Sequence, residues 1–386
     1  MKIVFLVNGS AGSAMGVRAR SFAERLSAEF EIHILYRSAN KIQAIVKNVA
    51  GLFQFRPALC WVFDMGFSGV LAAGFYRAVS RCRVVVDTGD AIYELARSAG
   101  SRGRLGLWLT KQLERYALSI SDGVVVRSHP HQELLAGQGI RADAIPDGVD
   151  LNQFQPAPAE ALRRSLGLDG SVVIGILGSL VWNQRLETCY GAEVVEVIHR
   201  LRDHRLRDQP VKGLVIGDGT GLQRLKERCS ALGIEDRMVF AGRVAYDNLP
   251  QYLNLMDVCI STQSNDPVGQ VRTSGKLPLY LACGRFVLAT EVGEAARVLP
   301  RGMLVPYNGA SDPEYPARLV ERIRELVPHP ERLRQPASSV AIARQHFDYN
   351  DLAARVGRTI HRVLEETQHA SPVKIPAGEQ VGGDRP

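Results

Sequence analysis

Two segments of this 386-residue chain open in the same way. Residues 2–26, KIVFLVNGSAGSAMGVRARSFAERL, and residues 171–198, SVVIGILGSLVWNQRLETCYGAEVVEVI, each carry a hydrophobic strand into a glycine-bearing turn and then into a helix. A longer, weaker strand and helix alternation follows each opening. Such alternation predicts parallel α/β layers, and its repetition half a chain later predicts two Rossmann-like open-sheet domains facing each other across a cleft. Length agrees, because chains beyond about 250 residues divide rather than enlarge one core. A cleft between two domains suits the joining of two substrates better than the burial of one ligand.

The alternation can be followed along both halves. In the first, EIHILYR, RVVVDTGD and DGVVV read as strands after the opening one, and RADAIPDGVDLNQFQP supplies the turn punctuation that ends the domain. In the second, VVIGILG, GLVIG, RMVFAGRV, VCISTQ and RFVLAT read as strands, with helices between them at LQRLKERCSALG, NLPQYLNLMD and KLPLYLACG. Leu352, Val356, Ile360 and Val363 recur at helical spacing in a last helix that can cross back onto the first domain. The predicted boundaries are 1–165, 166–345, a closing helix at 346–366 and a flexible tail at 367–386, where SPVKIPAGEQVGGDRP has little to bury.

Composition narrows the class. Hydrophobic residues at 46% with 23% charged residues describe a globular chain. None of the six cysteines shares a C-x-x-C unit, so reduced buried thiols are expected and neither a metal cluster nor a disulfide framework is. MKIVFLVNG is too short an apolar run for a secretory signal, which predicts a cytoplasmic chain. The net charge of +7 admits an anionic ligand or a membrane surface. Basic and aromatic residues interleave over residues 51–83 and again in SRGRLGLWLTKQLERY at 101–116. Asp64 and several glycines argue against a membrane span, leaving a buried strand with its packing helix or a peripheral amphipathic contact with lipid headgroups at the inner membrane face. Nucleic acid is not expected: zinc spacing is absent, and the basic residues are scattered over both halves. RDHRLRDQPVK reads as a solvated surface turn.

Several phrases together resemble the retaining, two-domain glycosyltransferases of the glycogen-synthase-like kind, with the GT-B fold. The resemblance runs from Met1 to about Glu366. It is carried by IPDGVDLNQFQP as the inter-domain phrase, VIGDGTGLQRLKERCSALGIEDRMVFAGRV as a second-domain segment, SGKLPLYLACGRFVLAT as the donor-site helix and strand, and DLAARVGRTIHRVLE as the closing helix. It implies transfer of a sugar from a nucleotide-diphosphate donor to a hydroxyl of a saccharide, small-molecule or lipid-linked acceptor, with no metal and no further cofactor. The departing phosphate would help to deprotonate the acceptor on the same face. The chain also departs from the family. Val271 and Leu279 stand where two carboxylates contact sugar and ribose, and Ser179 and Gln184 stand where an Arg and a Lys are usual, so the donor is held differently or the site is degraded.

Phosphate leaving groups are stabilised by oriented amides and cations. GSAGSAMG at 9–16 permits close backbone approach, and the resemblance singles out Gly16. Gly178 ends the second glycine strand. Arg272, Thr273, Ser274, Gly275 and Lys276 combine hydroxyls, amides and two cations before a helix, and Arg185 offers a further cation. Asp218, within GDG, binds ligand or caps the next helix, and Arg243 ends a strand that should open toward the cleft. In the first domain Asp87, Asp90 and His129 follow strand ends, with Asp90 expected to orient the acceptor and His129 to act in catalysis or to bond within a turn. The expected catalytic set is Asp90, His129, Arg185 and Lys276. A nucleotide-sugar epimerase and a non-catalytic sugar-binding or regulatory protein are the competing accounts.

Overall fold

The computed structural model describes residues 1–38, 40–100, 102–202, 209–326, 333 and 336–366. The tail expected at 367–386 and positions 203–208 of the expected surface turn lie outside the described residues. In the first domain, strands β1 (Lys2–Val7), β2 (Glu31–Tyr36), β3 (Leu59–Phe63), β4 (Arg83–Thr88), β5 (Gly123–Val126) and β6 (Asp143–Ala144) form one sheet in the order β2-β1-β3-β4-β5-β6. Every pairing is parallel. Its helices are α1 (Ala14–Leu26), α2 (Lys41–Phe55), α3 (Phe67–Val79), α4 (Ile92–Ala99), α5 (Arg104–Ile120) and α6 (His129–Gly137).

After the short α7 (Glu160–Ser165), the second sheet is built from β7 (Val172–Leu177), β8 (Val211–Ile216), β9 (Met238–Gly242), β10 (Val258–Ser261), β11 (Phe286–Thr290) and β12 (Leu304–Val305). The order is β12-β11-β10-β7-β8-β9, again all parallel. Around it lie α8 (Ala192–Leu201), α9 (Leu222–Leu232), α10 (Leu249–Leu253), α11 (Pro267–Val271), α12 (Lys276–Ala282), α13 (Gly293–Val298) and α14 (Tyr315–Leu326). Two helices finish the described chain, α15 (Pro336–Phe347) and α16 (Tyr349–Glu365). Strand order reverses between β1 and β3 in the first sheet and between β7 and β10 in the second. At such points the flanking crossovers leave in opposite directions and open a crevice beyond the carboxyl ends of the strands.

Near-continuous apolar strands follow from the layering: parallel strands covered by helices on both faces have no solvent side, and β3 and β10 are buried at every position. All six cysteines are free and buried within these layers. Burial holds the Cys60 and Cys259 thiols well above their ordinary range, as expected of inert structural thiols.

Two chain crossings join the halves side by side. Val149 donates to Phe347 O (2.8 Å) and Tyr349 donates back to Val149 O (3.2 Å). Asp348 then caps α16 by accepting from the Asn350 amide (2.9 Å). The apolar stripe of α16, Leu352, Val356, Ile360 and Val363, packs into the first domain's core with Ile3, Phe5, Phe22 and Leu26, and Tyr349 meets Phe22 edge-on at 5.6 Å. The last described helix is therefore an interior part of the first domain. Ile360→Ala should lower the stability of that domain by about 2–5 kcal/mol, the ordinary cost of emptying a core position. Urea unfolding followed through the buried Trp61 would measure it. A loss below roughly 0.5 kcal/mol, typical of surface positions, would mean that the helix only rests on the surface.

Candidate active site

The carboxyl ends of the two sheets face one another, and a buried charge network fills the first domain's side. Arg18, fully buried on α1, places Nε 3.0 Å from Asp87 and donates to Ile145 O (2.8 Å) and Pro146 O, with Asp147 at 3.4 Å. Arg127, immediately after β5, lies 3.1 Å from Asp64, 3.4 Å from Asp87 and 3.7 Å from Asp147, and donates to the Met15 sulfur. Burial alone would lower the Arg127 pKa, but the facing carboxylates, Asp147 and Asp87 foremost, outweigh it and raise the pKa. Burial raises the Asp64 pKa despite Arg127. Asp64 and Met65 both adopt left-handed backbone, with φ of 60° and 44°. Such positions cost on the order of 1–3 kcal/mol each and persist only where the surroundings impose them. Here the Met65 amide donates to Asp87 O (3.1 Å) and Asn8 reaches Asp64 (3.4 Å), across the strand-order reversal between β1 and β3.

The second domain contributes a cleft of about 1110 Å³ at its own reversal between β7 and β10. One wall follows β7 and includes Trp182, Gln184, Arg185, Tyr190 and Glu193; the other holds Thr262, Gln263 and Ser264 after β10, with Arg272 and Tyr307. The rim is shaped by backbone packing. A Cβ on Gly217 would lie 1.9 Å from Gly178 O, and one on Gly219 would lie 2.4 Å from the Leu180 carbonyl carbon. Their φ values of 139° and 159° also suit glycine.

Behind this wall, the Lys276 ammonium is buried without a hydrogen-bond partner and sits 3.7 Å from the centre of the Tyr190 ring. Burial lowers its pKa to about 8, with Glu193 opposing and Arg272 reinforcing the shift. Glu193 accepts from the Gly191 amide through Oε2 (2.9 Å), while its buried Oε1 has no partner.

The expected residues separate into groups. Asp90 and Arg272 meet across the domain boundary at 3.2 Å. Arg185 donates to Ser98 O at the end of α4 (3.2 Å), so Arg185 and Arg272, two of the arginines that line the cleft, also reach the first domain. Thr273 and Ser274 face Pro146 and Asp147 in a small inter-domain cavity, and a Cβ on Gly275 would lie 3.8 Å from Asp147. Gly16 lies in the first turn of α1. Its amide donates to Ser13 Oγ (3.1 Å), and a side chain there would strike Ser10 O and Ala11 O, so close loop packing accounts for the glycine. The Gly178 amide donates to Ile216 O (3.0 Å). Asp218 accepts from the Gly219 amide (2.7 Å), the turn-forming role, and Arg243 is exposed at the end of β9.

Two expectations need correction. Asp87 does not face open cleft; it is fully buried between Arg18 and Arg127, because two guanidiniums compete for it. His129 bonds Glu294 through its ring Nδ1 (2.8 Å) and its backbone amide (2.9 Å), which turns it away from the large cleft and makes it a tie between the domains. Val271 and Leu279 are buried apolar residues.

Arg18, Arg127, Asp147, Glu193 and His131 were not singled out by the sequence reading. Arg127 stands directly before the SHPH stretch, His131 ends that stretch and Asp147 is the first acid of IPDGVD, so these three carried a local signal. Arg18 and Glu193 are ordinary helix residues in sequence. Among the described residues no group of three or more His, Cys, Asp or Glu could hold a metal ion.

His131 is buried with its Nδ1 unpartnered. Burial lowers its pKa from 6.5 to about 4, opposed by Asp90 and reinforced by Arg127. A histidine kept neutral by the fold contributes stability above 6.5 that is lost as pH falls toward about 4, since the unfolded chain then binds the extra proton. Urea midpoints measured across that window should fall with acidification, and His131→Gln should flatten part of the fall. An unchanged profile would show that the imidazole titrates normally.

Comparison with known proteins accords with this geometry. Residues 171–328 match the family described as "Glycosyl transferases group 1". Mannosylfructose-phosphate synthase of Agrobacterium fabrum is 28% identical over 248 residues, covering 59% of this chain and 50% of that protein. The matched regions span about half the length of the curated relatives. Among solved structures, sucrose-phosphate synthase of Thermosynechococcus elongatus superposes with a TM-score of 0.74 at 16% identity, covering 95% of this chain and 99% of that one. Anabaena HepE in complex with UDP and glucose gives 0.70 at 19% identity, covering 94% and 100%. Residues 171–328 thus resemble a group 1 glycosyltransferase domain, and the two-sheet chain that contains them has the GT-B fold.

Proposed function

We propose that the chain is a retaining, metal-independent glycosyltransferase that moves a sugar from a nucleotide-diphosphate donor to an acceptor hydroxyl. The observation that carries this reading is the Lys276 ammonium, buried without a hydrogen-bond partner behind Tyr190, with the half-exposed Arg272 lining the cleft between β7 and β10 in front of it. An anionic diphosphate entering there would supply the missing counter-charge, and the two cations with Arg185 would stabilise it as it departs. In the proposed step the bond from the anomeric carbon to phosphate oxygen breaks, the acceptor oxygen bonds that carbon on the same face, and its proton passes to the leaving phosphate. Asp90, held by Arg272 at the mouth of the first domain, is the group we assign to orient the acceptor. Glu193, with one buried carboxylate oxygen unpartnered, is the group we assign to donor hydroxyls in place of the family's acids at 271 and 279. The proposed setting is cytoplasmic, with nucleotide sugar and acceptor as the partners.

The apolar, buried Val271 and Leu279 favour a second reading, a non-catalytic nucleotide-sugar binder. Incubation with UDP-glucose and a panel of other nucleotide sugars separates the accounts. Acceptor-dependent nucleotide release with retained anomeric configuration is expected; tight UDP binding without turnover supports the binder, and acceptor-independent conversion supports an epimerase.

Two further outcomes follow from the site. UDP affinity, measured by calorimetry, should fall as pH rises through about 8, because binding needs the protonated Lys276, and Lys276→Met should abolish that dependence together with roughly tenfold or more of the affinity. Glu193→Gln should raise the donor KM more than it lowers kcat, whereas an unchanged KM would remove Glu193 from donor recognition.

A further inference from the structure

The first domain carries an apolar face that the cleft chemistry does not use. Among the described residues, every exposed large hydrophobic side chain other than Met1, Leu134 and Val181 lies on α2, α3 or α5. On α2 these are Ile42, Val46 and Phe53; on α3, Leu71, Phe75 and Val79; on α5, Leu105, Trp108, Leu109 and Tyr116. Within each set the positions lie three, four or seven residues from others of the set, which places it along one side of its helix. Exposure is substantial, reaching 54% at Phe75, 55% at Trp108 and 70% at Leu105.

The three helices form one continuous surface. Phe53 of α2 meets Phe75 of α3 at 6.4 Å and packs edge-on against Tyr76 at 5.1 Å. Gly74 of α3 admits the Tyr116 hydroxyl of α5, since a Cβ there would lie 2.1 Å from it. Arg102, just before α5, stacks over Phe67 at the start of α3 (5.6 Å). Charge along the face has one sign. α2 carries Lys41 and Lys47 and α5 carries Arg104, Lys111 and Arg115; Arg77 of α3 is taken up by Asp122, and Glu114, the one carboxylate of the three helices, accepts from the Ile92 amide. No helix of the described residues is long and apolar enough to cross a membrane.

From this combination we infer that the α2–α3–α5 face docks on an anionic lipid bilayer, its aromatic and aliphatic side chains entering the headgroup region while the flanking lysines and arginines pair with lipid phosphates. A protein partner would need a matching acidic rim around an apolar centre, and a second copy of this chain would bring cations against cations on the same face. A bilayer supplies both properties over an unlimited area. The surface ends beside the active cleft: Gly100, at the end of α4, lines the cleft, and Arg185 bonds Ser98 O on the same turn. Docking in this orientation brings the cleft mouth near the membrane plane. The inference stands without the catalytic reading.

The test is sedimentation of the full chain with vesicles of phosphatidylcholine alone or mixed with phosphatidylglycerol. Several cations near an anionic surface predict binding roughly a hundredfold tighter to the mixed vesicles, and most of that gain should vanish at high salt. Phe75→Glu with Trp108→Glu, and separately Arg104→Glu with Arg115→Glu, should each abolish binding while leaving the thermal midpoint and UDP affinity unchanged. Trp108 should be quenched by brominated lipid, and Trp108→Phe should remove the quenching but retain sedimentation. No binding, equal binding to neutral vesicles, binding that survives both double variants, or dimerisation in solution without vesicle binding would each overturn the proposal.

Discussion

Two guanidiniums buried against three carboxylates hold the first domain's functional edge together. Arg18 and Arg127 share Asp87, and between them they engage Asp64, Asp147 and the carbonyls of Ile145 and Pro146. Charges removed from water this completely cost several kcal/mol each unless they are paired, so the arrangement acts as a unit: withdrawing one member leaves another uncompensated. The members come from α1 and from the ends of β3, β4, β5 and β6. Their mutual attraction consequently fixes loops that no backbone ladder connects, and it makes the start of the inter-domain passage part of the first domain's interior.

The second domain reaches comparable order by a different route. Its rim is set by glycine backbones that approach one another more closely than any side chain permits, Gly217 against Gly178 and Gly219 against Leu180. The carbonyls and amides of the β7 and β8 turns are thereby held in register, as in the bond from Leu180 N to Asp218 O at 3.0 Å. Polar atoms such as Glu193 Oε1 and Lys276 Nζ can then be left without hydrogen-bond partners, because the scaffold does not depend on them. A rigid rim with unsatisfied groups behind it is the arrangement expected where binding, rather than folding, completes the hydrogen-bonding and charge balance.

The fold was legible in the sequence because it rests on periodicity. Strands buried on both faces leave apolar runs such as VVIGIL, and the helix stripes recur at 3.6 residues, so the two-sheet division and most strands could be read directly, whereas β3 lay in the stretch at 51–83 that left a buried strand and a lipid contact both open. The site was less legible. Arg272 and Asp90 could be named separately, one from the cation- and hydroxyl-rich stretch before α12 and the other from the end of β4, but their meeting depends on how the two sheets face each other. Arg18 sits in an amphipathic helix where an arginine ordinarily means solvent. Only the convergence of residues 18, 64, 87, 127 and 147 reveals otherwise. In HPH, one histidine turns to Glu294 and the other into the protein. A helix of nine residues gives too little pattern to say which.

The position of α16 has a consequence for the order in which the protein can be made. The helix fills the first domain's core with residues that are translated after the whole second domain. When a ribosome has released the first six strands, their hydrophobic face against α1 is still open and stays so until the chain reaches about residue 365. Vectorial, domain-by-domain maturation is thus denied to the amino-terminal half. The nascent chain carries an uncovered apolar groove for the time needed to synthesise some two hundred residues, which makes this half the natural client of a holding chaperone.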